Sequence, residues 1–199
     1  MKLRGLYAIT PDSPDGLLEK AEAALRGGVA ALQYRNKLRP ESRAAEAKAL
    51  AALARRYGVP FIVNDDIDVA LDAGADGVHL GRDDESLSAA LRRMPGRIIG
   101  VSCYDSLESA RAAVAAGARY VAFGSVFASS TKPGAVRAPL SLFSEARSLG
   151  VPLCAIGGIT LENAPRLVEA GADLLAVISD LFLAGDVESR ARRYAEVFA

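Results

Sequence analysis

Histidine is nearly missing from this 199-residue chain, which carries one copy, His79, together with two cysteines and no tryptophan. A single histidine excludes a two-histidine metal site and a histidine-based proton relay, and we predict that His79 is a packed strand residue. Cys103 and Cys154 are too few for a disulfide framework and lack the spacing of metal ligands. We therefore predict that both are packed, reduced thiols.

Net charge is also absent, because 24 basic residues balance 24 acidic ones. No overall field draws nucleic acid or an anionic membrane, so any attraction for an anion must be local. No apolar stretch approaches the roughly 20 residues of a transmembrane helix, and the N-terminus lacks the layout of a signal peptide. We expect a cytoplasmic protein with small-molecule partners and no nucleic-acid or membrane partner. The oligomeric state stays open, and a homo-oligomer is compatible with the sequence.

What the chain does have is a regular alternation of short β-rich runs and alanine-rich segments with helical periodicity. The predicted strands are 6–9, 30–33, 61–63, 77–80, 97–101, 120–123, 153–156 and 174–177. The predicted helices are 17–26, 41–57, 66–73, 87–93, 107–116, 140–149, 161–170 and 187–198, with a short extra segment at 179–183. Strand–helix pairs without a linker between them predict an α/β fold, a single-domain (β/α)8 TIM barrel over residues 1–199.

An internal repeat supports the barrel. Glycine-containing helix stops at 27–30, 74–77, 117–120 and 171–174 precede alternate strands, and glycine at such a place ends a helix in the left-handed conformation. The rival is an open doubly wound sheet, which has the same alternation but usually fewer strands. No Gly-x-Gly-x-x-Gly follows the first strand, so the barrel is favoured.

The active site of such a barrel lies at the carboxyl ends of its strands, and the second strand ends in Gln33, Arg35 and Lys37. These residues alternate with period two, so their side chains project from one side of an extended strand. Arginine offers a bidentate fork and lysine a point charge, which together suit a phosphate or diphosphate. The alternative is a strand that simply emerges into solvent.

Acidic residues follow the next two strands. Asn64 and Asp65 follow the third, and Asp83 and Asp84 follow the fourth on a glycine turn. Mg²⁺ binds one or two carboxylates together with substrate phosphates and water, so these acids suit a magnesium site. The alternative for the aspartates is that they cap helices.

The remaining strand ends carry hydroxyls, a lysine and glycines. Ser102, after the fifth strand, lacks any nearby histidine base, so we exclude a Ser-His-Asp nucleophile and expect its hydroxyl to bind a polar substrate edge. Lys132, among the hydroxyls after the sixth strand, suits a phosphate-gripping lid or simply a solvated loop. Gly157 and Gly158, with the short segment after the eighth strand, match the phosphate site of these barrels or simple tight turns. The sequence thus predicts two anion sites across one barrel mouth.

Seven motifs stand at these strand ends: QYRNK at 33–37, ND at 64–65, HLGRDD at 79–84, GVS at 100–102, TK at 131–132, IGGI at 156–159 and VIS at 177–179. Together, and in this order, they resemble the thiamine phosphate synthase family. The resemblance implies a (β/α)8 barrel that uses Mg²⁺ to join 4-amino-5-hydroxymethyl-2-methylpyrimidine diphosphate to the thiazole phosphate, or its carboxylated form. It also implies that pyrophosphate leaves first and that the thiazole nitrogen captures the resulting carbocation.

The resemblance further implies roles for individual residues. The pyrimidine diphosphate would contact Gln33, Arg35, Lys37, Asn64, Ser102 and Lys132. The thiazole phosphate would contact Ser129, Thr131, Gly158, Ile178 and Ser179. Asp65 and Asp84 would bind Mg²⁺. The predicted catalytic residues are Arg35, Lys37, Ser102 and Lys132.

The chain departs from the family pattern at Asn36, where glutamate is common, at Arg82, where glutamine is usual, and at 128–129, where Pro-Thr is usual. Asn36 alternates away from the site, whereas Arg82 adjoins a proposed metal ligand. Three other functions stay open: a thiazole tautomerase of the same family, a sugar-phosphate isomerase or epimerase, and a non-catalytic barrel that binds thiamine precursors. Tautomerase relatives use a histidine where this chain has Tyr104, and an isomerase needs an acid–base pair that is not evident.

Overall fold

A computed structural model describes residues 3–13, 15–81, 86–128 and 137–199. Within these ranges the strands form one closed parallel barrel in sequence order, in which β8 pairs with β1. The strands are β1 (Gly5–Ile9), β2 (Ala31–Tyr34), β3 (Phe61–Asn64), β4 (Gly77–Leu80), β5 (Ile98–Tyr104), β6 (Tyr120–Phe123), β7 (Leu153–Ile156) and β8 (Leu174–Val177). The helices are α1 (Leu17–Gly27), α2 (Arg43–Arg56), α3 (Ile67–Asp72), α4 (Leu87–Arg93), α5 (Leu107–Ala116), α6 (Ser141–Ala146), α7 (Ala164–Ala170), α8 (Ser179–Phe182) and α9 (Val187–Glu196). The predicted (β/α)8 barrel is confirmed.

The strand side chains form two separate apolar layers, because successive residues of a strand point to opposite faces. Tyr7, Ile62 and Tyr120 belong to a cluster inside the barrel. Leu6 and Phe123 belong to a larger cluster between the sheet and the helices. Each strand therefore presents every second residue to the barrel interior, and the last such residue on each strand can reach the mouth.

Both cysteines are buried and neither forms a disulfide. Burial raises the pKa of Cys103 to about 12, and burial also raises the pKa of Cys154. Both side chains therefore keep their protons at neutral pH. The prediction of packed, reduced thiols is confirmed.

Several helices end where the sequence repeat predicts. Gly117 after α5 and Gly171 after α7 have φ angles of 113° and 111°, a backbone region that side chains with a Cβ rarely adopt. The N–H of Gly117 donates to the carbonyls of Ala113 and Val114, and so satisfies the last turn of its helix. The chain is thereby turned into the next strand.

Several boundaries differ from those predicted. The helix α2, predicted from 41, begins at Arg43, because Pro40–Ser42 forms a 3₁₀ turn. The helix α7, predicted from 161, begins at Ala164, and Pro165 lies in its first turn, where proline is tolerated. The strand β5 continues past 101 to Tyr104, with a register irregularity against β6 between Ser102 and Tyr104. Ser102 consequently lies within a strand and not after one. No helix in the described ranges is long and apolar enough to cross a bilayer.

Candidate active site

A cavity of about 650 Å³ opens at the carboxyl ends of the strands. Its lining includes every predicted site residue that the structure describes: Gln33, Arg35, Lys37, Asn64, Asp65, Ser102, Gly158, Ile178 and Ser179. The other predicted site residues, Asp84, Ser129, Thr131 and Lys132, lie outside the described residues. The predicted convergence at one mouth therefore holds for the described set, while the roles of all these residues stay predictions.

The two cations of the cavity lining are each paired with a carboxylate. The Arg35 guanidinium forms an ion pair with Asp12, and the Lys37 ammonium lies 3.0 Å from the Asp65 carboxylate. The Asp12 carboxylate also accepts a 2.7 Å hydrogen bond from the backbone N–H of Lys37. Each of the two cations therefore has a carboxylate partner within the protein.

Asp12 was missed by the sequence analysis, although it follows β1 at the same barrel mouth as the predicted residues. Burial tends to raise the pKa of this carboxyl, but the N–H of Lys37 and the Arg35 guanidinium outweigh burial and lower its pKa overall. The carboxylate is therefore ionised at neutral pH. Its place at a strand end was the signal that could have identified it.

The adjacent acids Asp65 and Asp66 differ in position: Asp66 caps a helix, and Asp65 lines the cavity. Asp66 caps α3, because its side chain accepts a 2.9 Å hydrogen bond from the N–H of Val69. Asp65 has a φ of 66°, a left-handed conformation that is uncommon for a residue other than glycine. Its N–H donates to the carbonyl of His79 at 2.8 Å. This backbone turns the Asp65 carboxylate toward the cavity, so the capping alternative applies to its neighbour.

The floor of the cavity is a chain of hydrogen bonds across the barrel interior. Gln33 Nε2 lies 2.7 Å from the Tyr7 hydroxyl, which lies 2.8 Å from the Tyr120 hydroxyl. The Tyr120 hydroxyl lies 2.8 Å from His79 Nδ1, and His79 Nε2 lies 2.9 Å from the Ser102 Oγ. All these side chains except that of Ser102 are buried. Polar groups in the barrel core thus satisfy one another.

The expectation that Ser102 has no histidine nearby is therefore wrong. Strands β4 and β5 are neighbours, with His79 paired to Gly100, so Ser102 is the next inward residue on β5. His79 is packed, as predicted, with 8% of its surface exposed, but it also lines the cavity. Its Nδ1 atom contacts a tyrosine, which differs from the carboxylate of a Ser-His-Asp triad.

The cavity lining after β7 and β8 includes the glycine turn at 157–158 and the start of a short helix. Gly158 follows β7 with a φ of 63°, and a Cβ there would lie 2.2 Å from the carbonyl oxygen of Ala128. Asn163 Nδ2 donates to the Gly158 carbonyl at 3.0 Å and holds the turn. Ser179 begins α8 after β8, and Asp180 ties that helix down by accepting bonds from Arg190 and Tyr194 in α9. Glycine is required at 158 because the backbone passes too closely for a side chain.

Asn36, a departure from the family pattern, faces away from this cavity as predicted. Its amide nitrogen lies 3.0 Å from the Tyr34 hydroxyl and 3.2 Å from the Glu46 carboxylate. The side chain is buried in this network outside the barrel. The substitution therefore has no direct contact with the site.

The described residues include no cluster of three or more His, Cys, Asp or Glu side chains that could hold a metal ion. Asp65 supplies one carboxylate facing the cavity. A Mg²⁺ ion needs one or two carboxylates when substrate phosphates and water complete its shell. The donor set therefore fits Mg²⁺ bound together with a diphosphate, and Asp84, beyond the described ranges, stays the predicted second ligand.

Known proteins resemble this chain over nearly its whole length. The family model described as thiamine monophosphate synthase matches residues 6–181. A protein from Aromatoleum aromaticum named thiamine-phosphate synthase is 58% identical, with 99% of this chain and 97% of that protein covered. One of the same name from Azoarcus is 56% identical, with 100% and 98% covered.

A solved structure gives the same result for the fold. Thiamine phosphate pyrophosphorylase from Pyrococcus furiosus superposes with a TM-score of 0.89 and 36% sequence identity. The match covers 99% of this chain and 96% of that one. The site geometry, the family model and the full-length relatives agree, and the chain belongs to the thiamine monophosphate synthase family.

Proposed function

We propose that this protein is a thiamine-phosphate synthase that joins 4-amino-5-hydroxymethyl-2-methylpyrimidine diphosphate to the thiazole phosphate with release of pyrophosphate. If the carboxylated thiazole phosphate is used instead, its carboxylate must also be lost as carbon dioxide. The observation that carries the proposal is a single cavity whose lining combines two cations with glycine turns at other strand ends. Arg35 and Lys37 line it after β2, and the Gly158 turn and Ser179 line it after β7 and β8. A volume of about 650 Å³ suits two small substrates bound together.

The charged side is assigned to the diphosphate. Arg35 and Lys37 would bind the phosphate oxygens, with Lys132 joining them from beyond the described ranges. Asp65 and Asp84 would hold Mg²⁺, which would neutralise further phosphate charge. Arg35, already positioned by Asp12, loses little freedom when the diphosphate binds, so this cation is preorganised for the leaving group.

The pyrimidine ring is assigned to the polar residues between the two anion sites. Gln33, Asn64 and Ser102 all line the cavity and can hydrogen-bond the ring and its amino group. The buried hydrogen-bond chain beneath Gln33 and Ser102 keeps both side chains in fixed orientations. Correct orientation of the pyrimidine presents its methylene carbon to the second substrate.

The backbone side is assigned to the thiazole phosphate. Gly158, Ile178 and Ser179 lie around this part of the lining, and bare backbone groups there suit a phosphate. Ser129 and Thr131 are assigned the same ligand on the family resemblance alone. Binding there would aim the thiazole nitrogen at the pyrimidine.

The reaction that suits this site is dissociative. The bond between the pyrimidine methylene carbon and the diphosphate oxygen breaks, and its electron pair leaves with pyrophosphate. The lone pair of the thiazole nitrogen then forms the new carbon–nitrogen bond. The protein needs no nucleophile, because its residues stabilise the leaving group and hold the carbocation next to the acceptor. Ser102 is accordingly assigned to orientation, even though His79 lies beside it.

The test is turnover of both substrates by the purified chain with Mg²⁺, measured as thiamine phosphate and pyrophosphate in equal amounts. Arg35→Gln should lower kcat/KM on the order of a hundredfold, typical of losing one preorganised charge contact. The exposed arginine of α2, in Arg56→Gln, is the matched control and should keep full activity. Isomerisation of the thiazole without pyrophosphate release would favour the tautomerase, and binding without turnover would favour the non-catalytic barrel.

A further inference from the structure

The hydrogen-bond chain on the cavity floor links residues from five different strands. In order, it joins Gln33, Tyr7, Tyr120, His79 and Ser102, and each successive polar pair is 2.7 to 2.9 Å apart. Gln33, Tyr7 and Tyr120 are at most 2% exposed. Water therefore has little access to the middle of the hydrogen-bond chain, and the two phenol protons must find their acceptors among these side chains.

The two tyrosines allow the direction of the chain to be worked out. Burial raises the pKa of both phenols, so each carries one proton. The Gln33 Nε2 group only donates, so the Tyr7 oxygen accepts from it. Among the described residues, Tyr120 is the one remaining hydrogen-bond partner of the Tyr7 hydroxyl. The Tyr7 proton must therefore be donated to Tyr120.

This direction passes along the rest of the chain. The Tyr120 oxygen accepts from Tyr7, so its own proton is donated to His79 Nδ1. A neutral imidazole whose Nδ1 accepts carries its proton on Nε2. That Nε2–H donates to the Ser102 oxygen. The Ser102 proton is then directed away from His79, toward the cavity that Ser102 lines.

We propose that Tyr7, Tyr120 and His79 are positioning residues that hold the Ser102 hydroxyl as a hydrogen-bond donor into the active-site cavity, with His79 as the Nε2–H tautomer. The substrate group that meets Ser102 is then a hydrogen-bond acceptor. This last point rests on the proposed function, where the acceptor is a ring nitrogen of the aminopyrimidine or an oxygen of its diphosphate. The tautomer itself depends on the hydrogen-bond chain alone.

Nitrogen NMR of the untagged chain tests the tautomer directly, because His79 is the one histidine in the sequence and gives one imidazole spin system. At mildly alkaline pH we expect a proton on Nε2 and an unprotonated Nδ1 that accepts a hydrogen bond. A proton on Nδ1 would overturn the proposal, since the chain would then run in the opposite direction. This result is independent of any enzymatic activity.

Two variants test whether the hydrogen-bond chain sets the His79 tautomer, or whether the imidazole would adopt the Nε2–H form without it. Tyr120→Phe keeps the ring but removes the donor, so the Nδ1 resonance should move toward that of a nitrogen without a hydrogen bond. Ser102→Ala is the matched control at the other end, and it should leave the Nδ1 resonance in place. An unchanged Nδ1 resonance in Tyr120→Phe would show that Tyr120 does not donate to it. Tyr7→Phe removes the donor to Tyr120, the preceding bond of the hydrogen-bond chain. In that variant we expect a mixture of the two His79 tautomers.

Kinetics test the substrate contact. Tyr120→Phe should lower kcat/KM for the pyrimidine diphosphate roughly five- to tenfold, the range expected when one neutral hydrogen bond loses its orientation. The KM for the thiazole phosphate should stay within about twofold. A substrate analogue with a ring nitrogen replaced by C–H should lose affinity for the wild type but not for Ser102→Ala if that nitrogen is the acceptor. Equal losses in both proteins would assign the diphosphate oxygen, and no loss of kcat/KM in Tyr120→Phe would contradict the positioning role.

Discussion

The Nζ atom of Lys37 lies 3.0 Å from the Oδ2 atom of Asp65, inside the cavity that both residues line. The sequence assigns them opposite partners, a phosphate for the lysine and a cation for the aspartate. Each charge is the partner of the other, so neither lies unpaired at the mouth. Under the proposed function, Mg²⁺ and a diphosphate would give each side chain a stronger partner of the correct sign, and we expect the pair to separate.

Asp65→Asn should remove most of the synthase activity while the fold is kept. The amide cannot supply the negative charge that Mg²⁺ requires, and binding of Mg²⁺ with the diphosphate should weaken. We expect kcat/KM for the pyrimidine diphosphate to fall on the order of a hundredfold or more at low Mg²⁺. The measurement is steady-state kinetics over a Mg²⁺ titration, with circular dichroism to check the fold.

Asp66→Asn is the matched control for that variant. Asp66 is the adjacent acid, and its side chain caps α3 through Val69. Asparagine is as good a cap as aspartate, so both the helix and the Mg²⁺ dependence should survive. Equal losses in the two variants, or normal turnover by Asp65→Asn at low Mg²⁺, would remove Asp65 from the metal site.

Lys132→Ala tests the residue that distinguishes a working synthase from a binding barrel, although it lies outside the described residues. Negative charge grows on the pyrophosphate as it departs, so a cation contacting it helps the transition state more than the bound substrate. We expect kcat to fall on the order of a hundredfold, with little change in thiazole phosphate binding. The exposed Lys48 of α2, in Lys48→Ala, serves as the control. A raised KM with an unchanged kcat would reduce Lys132 to ordinary substrate binding.

The barrel and one side of its site could be predicted because both depend on local sequence patterns. The spacing of strands and helices predicts the closed sheet, and the period-two spacing of Arg35 and Lys37 predicts that they share a face. Periodicity does not mark Asp12, because it lies in a loop, and its place after β1 was the one available signal. Its pairing with Arg35 becomes visible only when β1 and β2 are placed side by side.

The Ser102–His79 contact was missed for a related reason. The two residues are 23 positions apart in sequence, and their contact depends on the register between β4 and β5. A sequence pattern shows which residues of one strand share a face, but it does not show the register, that is, which residues of two neighbouring strands lie side by side. The sequence pattern likewise predicts only that Tyr7 and Tyr120 are core residues. The contact between their hydroxyls becomes visible only in the closed barrel.

Acid should reveal the stabilising role of Asp12. The pKa of its carboxyl is lowered in the folded protein from its ordinary 3.8, so its stabilisation is present above that pH and is lost as pH falls through the folded value. Asp12→Asn should lower the free energy of unfolding by roughly 1 to 2 kcal/mol at neutral pH. The difference from wild type should shrink below about pH 4.

Urea unfolding at a series of pH values measures this difference. Asp72→Asn is the control, because it breaks an exposed ion pair with Lys48 whose side chains are each more than half exposed. Such pairs contribute little, so that variant should stay close to wild type throughout. A constant difference between Asp12→Asn and wild type down to the most acidic point would show that the carboxylate charge is not the stabilising feature.

Gly158→Ala should damage the backbone anion site more than it damages the fold. Two glycines with nearly equal φ angles, 63° at Gly158 and 70° at Gly150, allow the two causes to be separated. A Cβ at Gly158 would lie 2.2 Å from the Ala128 carbonyl oxygen, whereas a Cβ at Gly150 would have no heavy atom of the described residues within 4 Å. In both Gly158→Ala and Gly150→Ala, the left-handed backbone conformation of the alanine costs roughly 1 to 2 kcal/mol. Only the alanine at 158 must also displace neighbouring backbone at the cavity.

We therefore expect Gly150→Ala to lower the free energy of unfolding by that strain alone, with unchanged kinetics. Gly158→Ala should in addition raise the KM for the thiazole phosphate about tenfold or more, because the turn can no longer present its bare backbone to the phosphate. The KM for the pyrimidine diphosphate, which we assign to Arg35 and Lys37, should change much less. Equal KM values for the thiazole phosphate in the two variants would move that phosphate away from the Gly158 turn.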